Sequence, residues 1–293
     1  MNKDKWDLMV REDVDRIYDR IIMVTNVPKN EDKIVMLVEG KYDKEFYQQF
    51  IVWRNVIIFF TGGCERMNAL AEILRNDEFE YLAIQDSDFR KLGAQNSGMM
   101  NMFFTDCHDY EMTCISDRSI WAKMDAELEL SANGINENNI YSEIETLSYY
   151  RYCSRMLNMY NGFKAVGKSV CDVDTLDYTF IHSHIENGHL WFKEIQQGYL
   201  NGFIANNRHV KTEPYDFHNG HDVLNRIVYK INQEETHPYY DCEEDDIQEV
   251  LRKCTDLSDF KNTDLYKDVK TWSAGHKEVF KAATGSDTVF PLT

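Results

Sequence analysis

Proline, long apolar runs and positive charge are all scarce in this chain of 293 residues. Only four prolines occur, no tract is of low complexity, and hydrophobic residues make up 43%. That composition excludes a disordered or fibrous protein. The longest purely apolar runs, such as 34–38 and 56–60, reach five residues, far below the roughly 20 needed to cross a bilayer as a helix. The first residues, MNKDKWD, hold no apolar signal core. Seven cysteines, an odd number, include no Cys-x-x-Cys pair; reduced thiols in a cytoplasmic protein are the expectation. Bases are outnumbered 32 to 50 by acids, for a net charge of −18. Taken whole, that argues against a protein that coats nucleic acid, although it leaves room for a local basic groove or for carboxylates gathered around metal. What the chain does have is the material of a core. Area scaling leaves roughly 13,000 Å² exposed out of roughly 50,000 Å², so no disulfide or metal staple is required.

The charge is unevenly placed. Residues 125–146 hold six acids and no base, and residues 231–269 hold twelve acids and four bases. Between them, residues 151–168 carry Arg151, Arg155, Lys164 and Lys168 with no acid, interleaved with Tyr152, Tyr160 and Phe163. Such a basic, aromatic strip suits a nucleic-acid backbone and its bases; a helix with a solvated basic face is the other reading.

Periodicity divides the chain into stretches 1–30, 31–130 and 131–293. Val10, Val14, Ile17 and Ile21 recur at helical spacing, which predicts an amphipathic first helix. The runs 34–38, 56–60 and 81–85 then read as buried strands, with 100–105 a fourth, separated by helical patterns. Strand–helix alternation of this kind predicts an α/β fold with a parallel four-stranded sheet covered on both faces. From about residue 131 the chain reads as mainly helical, with helices over 143–159, 190–199, 223–231 and 247–254.

Acids stand where a parallel sheet presents ligands, at the carboxyl ends of its strands. Glu39-Gly40-Lys41-Tyr42-Asp43 follows the first strand and Asp86-Ser87-Asp88 the third. Carboxylates at close range force protons onto one another unless a cation intervenes; Mg²⁺ or Mn²⁺, one or two ions, would relieve them. Gly40 and the pair Gly62-Gly63 would let backbone approach a phosphate, with the helix opening at Cys64 aimed there. Helix capping is the alternative role for Asp43 and Asp88.

The runs IVMLVEGKYDKEFY and YLAIQDSDF resemble the two acidic motifs of the TOPRIM superfamily, shared by topoisomerases, primases and OLD-family nucleases. The likeness covers about residues 33–115 and, more faintly, the turn Gly220-His221-Asp222. It is greatest to small stand-alone bacterial TOPRIM proteins that often accompany an ATPase in anti-phage defence. The resemblance implies Glu39 as general acid/base or metal ligand, Asp86 and Asp88 as Mg²⁺ ligands, and Asp43 as ligand to a second ion. Asp109 or Glu111 would complete the site, with helix capping equally open for them.

Further patterns carry other readings. Residues 162–169, GFKAVGKS, match the P-loop spacing but follow a helical pattern rather than a strand. His218, His221 and Asp222 have metal-like spacing, although Asp222 reads more simply as the cap of the next helix. His182 and His184 share a face of a possible strand, and Cys107 lacks a paired base. The reading that results is a metal-dependent nuclease acting on DNA or RNA, with an ATPase as possible partner. A binding module that docks a basic partner protein is the alternative. A nucleotide-sugar transferase using Asp-x-Asp leaves Glu39-Gly40 unexplained.

Overall fold

A computed structural model describes residues 3–93, 100–157, 173–186 and 195–282. The described residues fall into two compact units. One comprises residues 4–86, 100–106 and 256–282; the other comprises 87–93 and the described residues within 107–255.

The first unit is built on the four-stranded sheet. β1 (Ile34–Val38), β2 (Val56–Phe60), β3 (Tyr81–Gln85) and β4 (Met102–Phe104) are all parallel, in the order β2-β1-β3-β4. The first three strands match the apolar runs, while the fourth is shorter than the 100–105 run. All five residues of β1 are fully buried. Alternate side chains point to opposite faces, so a central strand covered on both sides needs an unbroken apolar run.

One face is closed by α1 (Lys3–Thr25) and α3 (Cys64–Asn76). Val14 and Ile21 from α1 and Met67, Leu70, Ala71 and Leu74 from α3 pack on Val35, Leu37 and Ala83. The short helix α2 (Lys41–Tyr47) contributes Phe46 and Tyr47 to an aromatic cluster. In that cluster Phe50 stacks on Phe260 with centroids 4.4 Å apart, and Phe280 packs edge-on to Phe260 at 4.9 Å. The C-terminal stretch also pairs with residues 50–52 by backbone bonds, Val52 N–H to Val279 O and Lys281 N–H to Phe50 O, both 2.8 Å.

The second unit is helical. It includes α4 (Tyr110–Ser116), α5 (Arg118–Leu128), α6 (Glu137–Met156), α7 (Tyr178–Glu186), α8 (Gln197–Asn206), α9 (Pro214–Phe217), α10 (Gly220–Ile231) and α11 (Glu244–Cys254). His182 and His184 lie on helix α7 and not on a strand, because Tyr178 and Ile181 supply helical rather than alternating periodicity. Of the helix expected over 190–199, residues 190–194 lie outside the described residues, and the described helix begins at Gln197. Lys164, Lys168, Tyr160, Phe163 and the 162–169 P-loop match lie outside the described residues. Among the described residues, no helix is long and apolar enough to cross a membrane.

α10 organises this unit. Its Arg226, 1% exposed, donates to Glu143 Oε2 at 2.5 Å, Val173 O at 2.7 Å and Asp174 O at 2.9 Å. Asp222, fully buried in the first turn, takes a two-pronged contact from Arg151, with Nε to Oδ2 at 2.7 Å and Nη2 to Oδ1 at 2.8 Å. The cap of α10 is Asn219, whose Oδ1 accepts from Asp222 N–H at 3.4 Å. Asp222 is therefore not the cap; its carboxylate is committed to a guanidinium on α6.

Candidate functional site

In the sheet unit, register decides what meets at the carboxyl edge. Val38 pairs with both Phe60 and Ile84, so Glu39 and Thr61 leave the sheet at the level of Gln85, the last residue of β3. The Glu39 side chain accepts the Asp86 backbone N–H on Oε1 at 3.2 Å. Its backbone carbonyl accepts from Gly62 N–H at 2.8 Å and Gly63 N–H at 3.2 Å. Both glycines have positive φ, +78° and +128°, a conformation that strongly favours glycine. These two backbone donors serve Glu39 rather than forming the expected phosphate cradle. The loop is held from the other side by Arg66, whose Nη1 donates to Gly62 O at 2.8 Å while its Nε donates to Asp13 at 3.0 Å. Glu39 and Asp86 are both half-buried.

Asp43 has a different employment. It is buried, and its Oδ2 accepts the Gly40 N–H at 2.8 Å, closing the first turn of α2. A Cβ on residue 40 would lie 2.8 Å from that same oxygen, so Gly40 is explained by the cap rather than by a phosphate. Asp43→Ala is expected to lower unfolding free energy by about 1 kcal/mol, as for other lost helix caps, in a urea titration. The nuclease activity expected from the sequence should stay within a few-fold of wild type in that variant; a collapse would restore Asp43 as a ligand to a second ion.

The boundary between the units falls between Asp86 and Ser87, so Asp88 is described with the helical unit. Its backbone has φ +44°, a strained conformation for a residue with a side chain, costing about 1 kcal/mol or more. The strain is held by Asp88 N–H donating to His108 O at 2.8 Å. Its carboxylate lies 3.8 Å from His108 Nε2 and 3.6 Å from Arg155 Nη2. His108 is buried, and its Nδ1 has no hydrogen-bond partner among the described residues. Nothing in the sequence pointed to His108, because its partner is 20 residues away and no motif links them. Of the basic strip, Arg155 thus faces an acid, and Arg151 is taken by Asp222.

Asp109 and Glu111 sit together in the same unit as parts of a buried network. Asp109 caps α4, accepting Met112 N–H on Oδ1 at 2.8 Å and Gly220 N–H on Oδ2 at 2.6 Å. Burial, then the neighbouring Glu111, pushes its carboxyl up from the ordinary range. Glu111 Oε1 accepts from Gln248 Nε2 at 2.8 Å and lies 3.5 Å from His221 Nε2. His221 Nδ1 is bonded to Glu244. Burial alone would strip the proton from His221, but Glu111 and then Glu244 outweigh it and push His221 up to about 10.

Because that value lies above the ordinary 6.5, the stability His221 contributes is complete below about pH 6.5 and lost as pH rises to about 10. The urea midpoint of the wild type is therefore expected to fall across that window more steeply than that of His221→Gln. Parallel pH profiles would remove this role.

His218, almost fully buried where His221 is half-buried, has the opposite character. Burial, then His108, holds it down to about 3, and its ring Nδ1 is 2.7 Å from Ser148 Oγ. It stacks on Tyr141 at 4.8 Å as a neutral core residue. Among the described residues the cysteines form no disulfide, and burial pushes Cys153 and Cys242 up to about 11.

Among the described residues, no three His, Cys, Asp or Glu side chains gather in a metal-ligating group. Mg²⁺ commonly uses one or two carboxylates, with water and substrate phosphate completing its octahedron. Glu39 and Asp86, hard oxygen donors at neighbouring strand ends and both half-buried, fit one such ion. Asp43 Oδ2 is engaged in its cap on α2. Compared with known proteins, the chain matches no family model, no curated protein and no solved structure.

Proposed function

We propose that the protein is a metal-dependent phosphodiesterase acting on DNA or RNA, with its reacting centre at Glu39 and Asp86. The observation that carries the reading is the 3.2 Å bond from Asp86 N–H to Glu39 Oε1, which joins the two acidic motifs across β1 and β3. Support comes also from the parallel sheet, whose carboxyl edge is where such folds bind ligands, and from the TOPRIM-like form of both motifs.

Glu39 and Asp86 would hold the ion. A divalent cation at that edge supplies charge against the negative charge that develops in an in-line phosphodiester displacement. The chain's own part is positional. Gly62 and Gly63 fix the Glu39 backbone, the Asp86 N–H fixes one carboxylate oxygen, and Thr61, buried and bonded to Val38 O, fixes the loop. A carboxylate so restrained stands ready to accept or return a proton without rearrangement. Asp88, two residues further along the chain, belongs to the proposal through its motif. So does the setting the resemblance implies, anti-phage defence beside an ATPase.

The test is to incubate purified protein with Mg²⁺ or Mn²⁺ and mixed DNA and RNA, alone and with a co-expressed ATPase. Wild type should cleave, and Glu39→Gln and Asp86→Asn should not. Absence of cleavage by wild type under all these conditions would end the proposal.

A further inference from the structure

The sheet unit also carries a groove of about 580 Å³ between α1 and α3. Its floor includes Val10 from α1 and Ala69 and Ile73 from α3. All three are half-buried at the border of the core and keep part of their surface in solvent. Its rim is mainly acidic, with Asp15, Glu65 and Glu72 against Arg11. On α3, Glu65, Ala69, Glu72 and Ile73 follow helical spacing, so floor and rim form one stripe. In the turn of α1 that precedes Val10, Leu8 is 56% exposed and Met9 38% exposed.

We propose that this groove receives an amphipathic helix of a partner protein, with its apolar face on Val10, Ala69 and Ile73 and its lysines or arginines on the acidic rim. Charge complementarity selects that occupant. Three carboxylates face one guanidinium in the groove, and the whole chain, at −18, draws cationic partners toward it. Glu72 also pairs with Arg75 at 3.7 Å, an exposed contact of the kind that exchanges readily for another. An apolar strip flanked by charge along two helices suits a partner that presents anchors at positions i, i+3, i+4 and i+7. The inference is independent of the phosphodiesterase reading.

The probe is a fluorescent peptide of about 18 residues, with leucine at those anchor positions and lysine elsewhere. Its twin carries glutamate in place of lysine. The lysine peptide should bind wild type, more weakly as salt rises, and the glutamate peptide should not. Ala69→Arg should weaken binding by about tenfold through occlusion, and Glu65→Lys with Glu72→Lys by a similar factor through charge. The second variant alters only exposed side chains, so its fold is expected to persist, as a thermal melt would register. A photoreactive leucine should crosslink to residues 10–15 and 65–76. Undiminished binding by both variants, or crosslinks elsewhere, would overturn the proposal. So would a wild type that sediments as a dimer and is dissociated by Ala69→Arg, since the occupant would then be a second copy.

Discussion

Glu39→Gln and Asp86→Asn are each expected to reduce Mg²⁺-dependent cleavage by about 100-fold or more, the scale on which single acid–base or charge-stabilising groups act. Both substitutions keep shape and remove charge. The bond that positions Glu39 comes from the Asp86 backbone N–H, so Asp86→Asn retains that donor and isolates the contribution of the carboxylate. In the Glu39→Gln variant the new side-chain amide would still offer an oxygen to the same N–H. Stability should hardly change, because both side chains are half-buried at the edge and the β1 and β3 cores are untouched. Rates should be compared as a function of Mg²⁺ concentration, with thermal melts alongside. Loss of a ligand predicts a raised metal requirement as well as a lower maximum. Cleavage equal to wild type in either variant would remove that residue from the centre, and equality in both would point to a contaminant or another site.

Asp222→Ala is expected to destabilise the helical unit by about 3–5 kcal/mol, the usual consequence of stripping one partner from a buried ion pair. Asp222 is fully buried, and Arg151 meets it through two bonds of 2.7 and 2.8 Å. Without the carboxylate, a guanidinium remains in a largely closed environment and loses both of these bonds. Arg151→Met should be costly as well, because it strands the more deeply buried charge. The Asp222 side chain is not exposed at all, whereas that of Arg151 is 18% exposed. Pairing Arg151→Met with Asp222→Leu is expected to recover much of the loss, since two apolar groups leave nothing unsatisfied. Urea titrations of wild type, Arg151→Met, Asp222→Leu and the pair form a double-mutant cycle. A cycle with no coupling would mean that the contact is incidental. The proposed nuclease activity provides a second readout, since the sequence placed Arg151 in a nucleic-acid strip and the fold gives it a structural partner.

The sheet was legible in the sequence because its signal is local. Central parallel strands must be apolar on both faces, so 34–38, 56–60 and 81–85 stood out, and β4, with its half-buried residues, did so less sharply. Glu39 and Asp86 were legible for a related reason: parallel register carries residues after equivalent strand ends to the same edge. The helical unit was read less well. The start of α6, capped by Asn136, whose side chain accepts from Asn139 N–H, lay in a polar, turn-rich stretch. Pairings such as Arg226 with Glu143, 83 residues apart, have no signature in spacing. The capping roles of Asp43 and Asp109 were foreseen only as alternatives, because a carboxylate beside a strand end looks alike in sequence whether it binds a cation or a backbone N–H.

Lys281 donates through Nζ to Gln49 O, a contact that spans 232 positions of chain, and Phe260 and Phe280 close the aromatic cluster begun by Phe46, Tyr47 and Phe50. During synthesis at about 5–20 residues per second, those early rings wait roughly 10–50 s for their late partners. Throughout that interval the nascent sheet has α1 and α3 available but displays an aromatic surface that still lacks its C-terminal cover. The rate of translation, and whatever chaperone occupies that surface meanwhile, should therefore influence the yield of folded protein more than the intrinsic strength of any single contact.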